Sequence, residues 1–462
     1  VPIRPFTAIR LDQAREALAA RLHDPGLMFW SAGELDRYLR VALQTWQAHA
    51  ATWRDRVEAE IPLVQGDTGP WYDLTQVATD LCDRSITDQD LLTQLCDLLL
   101  EPGPDWANLP ALWTGSEMFT LEDLTTALQR RRDQFLVETT SVVHHRQIPT
   151  PGAPNGRVPL PEVILDLRRV AWVDVEGVIT PLWREDEWGA YAFHTGWQTT
   201  PDTPITYSVL APPPLQVQLV PVPADRGTLD LLAVERPVAL DPAHAPTILD
   251  LPTDLAWVVV FGALADLLGQ DGPAKDQARA QYAQQRWEQG IALARLTSTV
   301  LFVELDGEAV GDLPAVTDLD AYQTTWQSQV GSPTTVAMAG LNLLAITPTP
   351  DANGPYSLTL DLVPNMPLPA DDVDYLQISA DTWDIVLDYA QHLAMFKMGG
   401  AEFTGSYPLY MRFVDYAKLA NERIRAATLY VDPAARQSQR EVQRRPTRDP
   451  LPEQPAVLGG GA

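Results

Sequence analysis

The stretch LQVQLVPVPADRGTLDLLAV, Leu215 to Val234, decides how the rest of the chain is read. Apolar and polar residues alternate on either side of Pro221-Val222-Pro223 and Gly227, which predicts two β-strands paired about a tight turn. A helix pattern comes next. The same arrangement returns as LNLLAITPTPDANGPYSLTLDLV, Leu341 to Val363, with Pro348 and Pro350 standing 127 positions after Pro221 and Pro223. One unit is therefore written twice. Neither copy carries a catalytic constellation, so the unit reads as a construction part before it reads as an enzyme.

Working outward, Val170-Ala171-Trp172-Val173-Asp174-Val175-Glu176-Gly177 aligns without gaps on Val300-Leu301-Phe302-Val303-Glu304-Leu305-Asp306-Gly307, 130 positions on. Each is an alternating strand that ends in an acidic-Gly turn. Trp197-Gln198 is echoed by Trp326-Gln327, and Pro204 by Pro333. Helices containing Trp257 and Trp383 come next, closed by Gly272 and Gly399, and a last helix surrounds Tyr282 or Tyr416.

A second repeat lies further toward the N-terminus. Leu11, Ala14, Leu18 and Leu22 recur at helical spacing until His23-Asp24-Pro25-Gly26 ends the run. Ser31 and Glu34 then form a capping box for a helix carrying Leu35, Leu39, Ala42, Leu43 and Trp46. Past Ile61-Pro62, a loop with Gly66 and Gly69 leads to a short strand at Trp71 to Leu74. The pattern then recurs: Leu91 to Leu100 is helical up to Pro102-Gly103, and Thr120 to Asp123 caps a helix with Leu124, Leu128 and Phe135. Those three stand 89 positions after Leu35, Leu39 and Trp46, and Ile148-Pro149 echoes Ile61-Pro62.

These readings give an α+β chain with helical modules at 1–84 and 85–166, β-plus-helix modules at 167–298 and 299–430, and an extended tail at 431–462. The order is helical, helical, β, β, which is not a plain tandem duplication. Insertion of a whole unit, roughly 85 to 298, into an exposed loop of another produces it. The helices before residue 75 should then pack with elements beyond residue 300.

Composition excludes several classes. With 33 Lys and Arg against 61 Asp and Glu, the net charge of −28 repels nucleic acid and anionic membranes. Cys82 and Cys96 are the two cysteines, both in a leucine-rich helical stretch, so they read as buried thiols and not as a disulfide framework or zinc site. No apolar run is long enough for a membrane span, and VPIRPFTAIR lacks a signal peptide's apolar core. The 40 Pro are in excess and gather at strand ends and loops; the 14 Trp supply rigid contact area.

Candidate chemistry is thin. His144-His145 sit where a helix pattern fades into a proline-rich loop, and adjacent imidazoles point apart, so they read as polar loop residues. Asp371-Asp372-Val373-Asp374 lacks a calcium loop's spacing and reads as a solvated turn. Ser116, in Thr114-Gly115-Ser116-Glu117, has no nucleophile-elbow glycines. No catalytic, cofactor or metal residue is assigned. The tail stands apart: Arg436, Arg440, Arg444, Arg445 and Arg448 contrast with the acidic body and are the expected interaction residues, pairing with a neighbouring acidic subunit. The tail's composition cannot bury a core of its own.

Several of these features occur together in one family. Phe29-Trp30-Ser31 and Glu34-Leu35 opening a helix, Arg168-Arg169-Val170-Ala171-Trp172, Pro181-Leu182-Trp183-Arg184, and Trp197, Pro204, Tyr207 and Leu219-Val220-Pro221-Val222-Pro223 before Gly227 resemble the head-to-tail connector, adaptor or neck proteins of tailed bacteriophages. The resemblance covers most of residues 7 to 425, with a duplication that simple members lack. It implies a non-enzymatic virion protein at the head–tail junction, made in the host cytoplasm. Its expected partners are the portal, tail or neck proteins, and double-stranded DNA that passes unbound through the channel. The expected assembly is a closed homo-oligomeric ring of about twelve copies, or about six with pseudo-twelvefold symmetry. The competing classes are a tail, host-recognition or carbohydrate-binding structural protein, and a hydrolase.

Overall fold

The computed structural model describes residues 9–52, 55–61, 70–74, 84–101, 104–107, 118–150, 155–210, 214–297, 300–310, 313–351, 353–363, 365–379 and 381–429. The spacing of Leu11, Ala14 and Leu18 forms α1 (Leu11–Arg21), whose apolar side is buried. Ser31 caps α2 (Ala32–Ala50) by accepting the Glu34 N–H at 3.3 Å. The expected capping box is only half made. Glu34 turns inward instead, where its carboxylate accepts from the Tyr38 hydroxyl at 2.8 Å and the Lys397 ammonium at 2.6 Å. Full boxes open α3 (Asp88–Leu99), through Thr87 and Asp90, and α4 (Leu121–Thr139), through Thr120 and Asp123.

Strands β1 (Asp55–Ile61) and β2 (Trp71–Asp73) come after α2; β3 (His144–Thr150) and β4 (Arg157–Pro159) come after α4. Next are β5 (Ile164–Val173), β6 (Ile179–Arg184), the short α5 (Glu187–Phe193), β7 (Thr206–Leu210), β8 (Gln216–Val220), β9 (Gly227–Glu235), α6 (Ala256–Gly269) and α7 (Gln277–Leu296). The series then repeats as β10 (Val300–Leu305), β11 (Glu308–Ala309), α8 (Val316–Tyr322), β12 (Val330–Gly331), β13 (Thr335–Ala339), β14 (Leu343–Thr347), β15 (Thr349–Pro350), β16 (Tyr356–Leu362), α9 (Trp383–Met398) and α10 (Gly400–Leu429). The class is α+β.

Strand order makes the duplication physical. One sheet runs β3-β9-β5-β6-β7-β8-β4; the others include β1-β16-β10-β11 and β13-β14-β2. These are the same succession, continuous in one unit and broken between β11 and β13 in the other. Two strands before residue 75 thus belong with strands beyond 300, since β1 pairs with β16 and β2 with β14. Helix α2 likewise packs on α9 and α10, with the Trp46 and Phe413 rings 6.0 Å apart. The stretch between holds one complete unit.

One sequence expectation changes. The Leu215–Val234 stretch forms both strands, but they do not pair with each other: β8 lies between β7 and β4, and β9 between β3 and β5. Val217 and Leu219 instead meet Leu229 and Leu231 across the interior of the curled sheet. Pro221 and Pro223 have no N–H to give a hairpin ladder, so the chain crosses the core at this point. Its counterpart at β14 and β16 crosses in the same way, and the Val220–Pro221 and Thr347–Pro348 bonds are both cis. Val170 pairs with Leu231, Val300 with Leu362 and Val303 with Leu360. Bulges at Leu167/Arg169 and Val300/Phe302 interrupt the register on both strands.

The helices of both units share one apolar core, which includes Leu18, Leu91, Phe135, Trp257, Phe261 and Phe396. The strands of each unit enclose a smaller core of their own.

Candidate interaction surfaces

The five tail arginines, Arg436, Arg440, Arg444, Arg445 and Arg448, lie outside the described residues, as do Ser116 and Cys82. Cys96 is buried in α3, and burial pushes its thiol up to about 12, which makes it unreactive. His144 and His145 are on strand β3 and not in a loop, and they diverge: His145 meets Asp230 at 2.7 Å, and His144 meets Asp250 at 3.4 Å. Asp374 accepts the Ala370 and Asp371 N–H groups at 2.9 Å, while Asp372 engages Arg15. Among the described residues, no group of three or more His, Cys, Asp or Glu could hold a metal, and no helix is long and apolar enough to cross a membrane.

Two buried arginines join the units. Arg169 of β5 donates to Asp320 of α8 through Nε at 2.6 Å and Nη2 at 2.8 Å, to Asp230 at 3.1 Å and to Gln327 at 2.6 Å. Its guanidinium lies 5.6 Å over Trp326 and 5.8 Å over Trp71, and the Trp326 indole N–H donates to Asp320 at 2.8 Å. Val143 and Leu232 of one unit close around Val316, Leu319 and Trp326 of the other, which dries the site. Burial opposes charge on Asp230, but the His145 hydrogen bond and the Arg169 charge outweigh it and hold the carboxyl below its ordinary value. The geometry fixes the seat of α8 on the first unit's sheet.

Arg286 of α7 does the same job in the helical core, where it is 1% exposed. It donates to the Tyr410 hydroxyl at 2.7 Å and the Tyr389 hydroxyl at 2.9 Å, with its guanidinium 4.5 Å from the Trp257 ring and 4.7 Å from that of Tyr410. Hydroxyls and π faces stabilise this charge where a carboxylate usually would. Beside it, His392 bridges the Tyr282 hydroxyl at 2.8 Å and Ser406 at 2.7 Å, and His49 stacks on Trp257. Burial lowers both imidazoles to about 3.

The second kind of surface is open. Helix α5 is the counterpart of α8, and its inner side seats Ala190 against Trp197, Val220 and Val222. Exposed aromatics stand around it: Trp188 is 84% exposed and Trp183, at the end of β6, 56%, while Tyr191, 49% exposed, packs on Trp197 and accepts from the Gln198 amide at 2.8 Å. Glu185, Asp186 and Glu187 surround the start of the helix, with Asp186 capping it through the Gly189 N–H at 2.6 Å. In the sequence the 14 Trp read only as rigid contact area, and nothing singled out this group. Its available signal was a short Trp-bearing helix opened by three consecutive acids. Neither a family model nor a curated protein matches the chain.

Proposed function

We propose that the chain is a virion structural protein that joins the head, through the portal, to the tail of a bacteriophage and lines part of the DNA channel as a ring. The observation that carries this reading is the pairing of two matched units locked by buried arginine networks with an exposed aromatic surface at α5. A ring component needs both: a rigid body of fixed shape, and flat contact area rich in Trp and Tyr for its neighbours. The net charge of −28 suits a wall past which DNA must move without adhering. Two units per chain fit about six copies with pseudo-twelvefold symmetry, or about twelve copies matching the portal. Particles assembled without this protein should retain closed heads that fail to join tails, and adding the purified chain should restore joining. Normal joining in its absence would refute the role.

Exposed Trp183, Trp188 and Tyr191 also favour a second reading, a carbohydrate-binding or host-recognition tail protein, because indole faces stack on sugar rings. A glycan array probed with the full chain separates the two.

A further inference from the structure

The two units solve the same surface problem in different ways. On the second unit, the α8 surface and the nearby Trp326 hold a guanidinium: Arg169 lies over Trp326 and Trp71 and forks onto Asp320. On the first unit, Trp197, the counterpart of Trp326, is buried under α5, and other aromatic groups are left exposed there, indoles and a phenol beside carboxylates, with no arginine over them among the described residues. Trp188 and Trp183 are exposed; Tyr191 is half exposed, with its ring on Trp197 at 5.6 Å and its hydroxyl accepting from the Gln198 amide at 2.8 Å. Glu185, Asp186 and Glu187 stand at the helix start, Glu185 lying 3.6 Å from His194, and Arg184 is the one Lys or Arg among residues 183–193.

We propose that this α5 surface is the dock for the arginine- and proline-rich segment 432–453 of a neighbouring copy. Arg436, Arg440, Arg444, Arg445 and Arg448 supply guanidinium groups for the indole faces and carboxylates, and Pro446, Pro450 and Pro452 supply rings that pack flat on Trp. Charge favours it in the middle of the segment, where residues 436–448 carry five Arg against Glu441 alone and would meet an acidic helix start. Length permits it. Arg436 and Arg448 can lie up to about 20 and 60 Å from Leu429, the end of α10, at about 3.3 Å per residue. Docking between copies, as opposed to within one, rests on the ring reading above.

The test uses full-length chains, isotopically heavy and light, each carrying Tyr191→p-benzoyl-phenylalanine, assembled together with mixing checked by intact mass. Irradiation should link position 191 to peptides within 432–453, and the linked pairs should join heavy to light. Arg440→Gln with Arg444→Gln and Arg445→Gln should lower that yield about ten-fold while the circular dichroism spectrum stays unchanged. Rings visible by electron microscopy whose position 191 links elsewhere, or nowhere, overturn the dock and leave the ring reading intact. Links confined to heavy–heavy and light–light pairs, from chains that form no rings, overturn both docking between copies and the ring. Glycan binding at α5 without a tail link assigns the surface to sugar and overturns the proposal.

Discussion

At the scale of single residues, the buried charges set the energetics. Arg286 depends on two tyrosine hydroxyls, so Tyr389→Phe or Tyr410→Phe should destabilise the protein by about 1–3 kcal/mol, because each leaves a buried donor unmatched. Arg286→Met, which removes the charge and keeps the volume, should cost less than either and can stabilise. Equilibrium urea unfolding ranks the three; a Met variant less stable than the Tyr variants would show that the guanidinium is a net contributor. The buried imidazoles set the pH response. His49 and His392 stay neutral in the fold, at about 3, against an ordinary value of 6.5. Below 6.5 the unfolded chain takes up protons that the folded chain refuses. Stability should therefore fall as pH drops from about 6.5 toward about 3, by up to about 1.4 kcal/mol per unit for each histidine, and these two add no pH dependence above that window. His392→Gln should remove about half of the slope between pH 6 and 5, read by unfolding at each pH. Neither arginine network was legible in the sequence: Arg169 and Asp320 are 151 positions apart, and nothing local marks either as buried.

At the scale of elements, α8 should come off the sheet when its anchor is removed. Asp320→Ala leaves the buried Arg169 guanidinium only Asp230 and Gln327 and leaves the Trp326 indole N–H unmatched, and should cost about 3–5 kcal/mol, whereas exposed Asp371→Ala should change little. Denaturant midpoints of the two variants compare them directly. Elements themselves were readable where a period and a cap coincide: Ser31 and Thr120 mark the starts of α2 and α4, and the alternation around Leu219 and Leu231 marks β8 and β9. Pairing was not. An alternating strand says which face is buried but not which neighbour supplies its hydrogen bonds, so the proline-spaced stretch suggests a hairpin although its strands face each other across a core. The bulges in β5 and β10 were not legible for a related reason, since they move register without leaving a sequence mark. Exposure of Trp188 was hidden as well, because burial of a short helix depends on what the rest of the molecule lays over it.

At the scale of the whole molecule, a shared helical core ties the two units together. Trp257, Phe261 and Tyr282 of one pack with Tyr389, Phe396 and Phe413 of the other, so neither unit can open without exposing the other's apolar surface. Fluorescence of Trp172 in the first sheet and Trp326 at the second should report the same unfolding midpoint; separate midpoints would show two independent units. The acidic surface should also leave duplex DNA unretained in a mobility-shift assay at about 0.15 M salt, as a channel wall requires. The connector reading stands most directly on assembly. Native mass spectrometry of the purified full chain, with electron microscopy of the same sample at low salt, should find one closed ring of about six or about twelve chains. A strict monomer at every concentration that also never enters particles would contradict it.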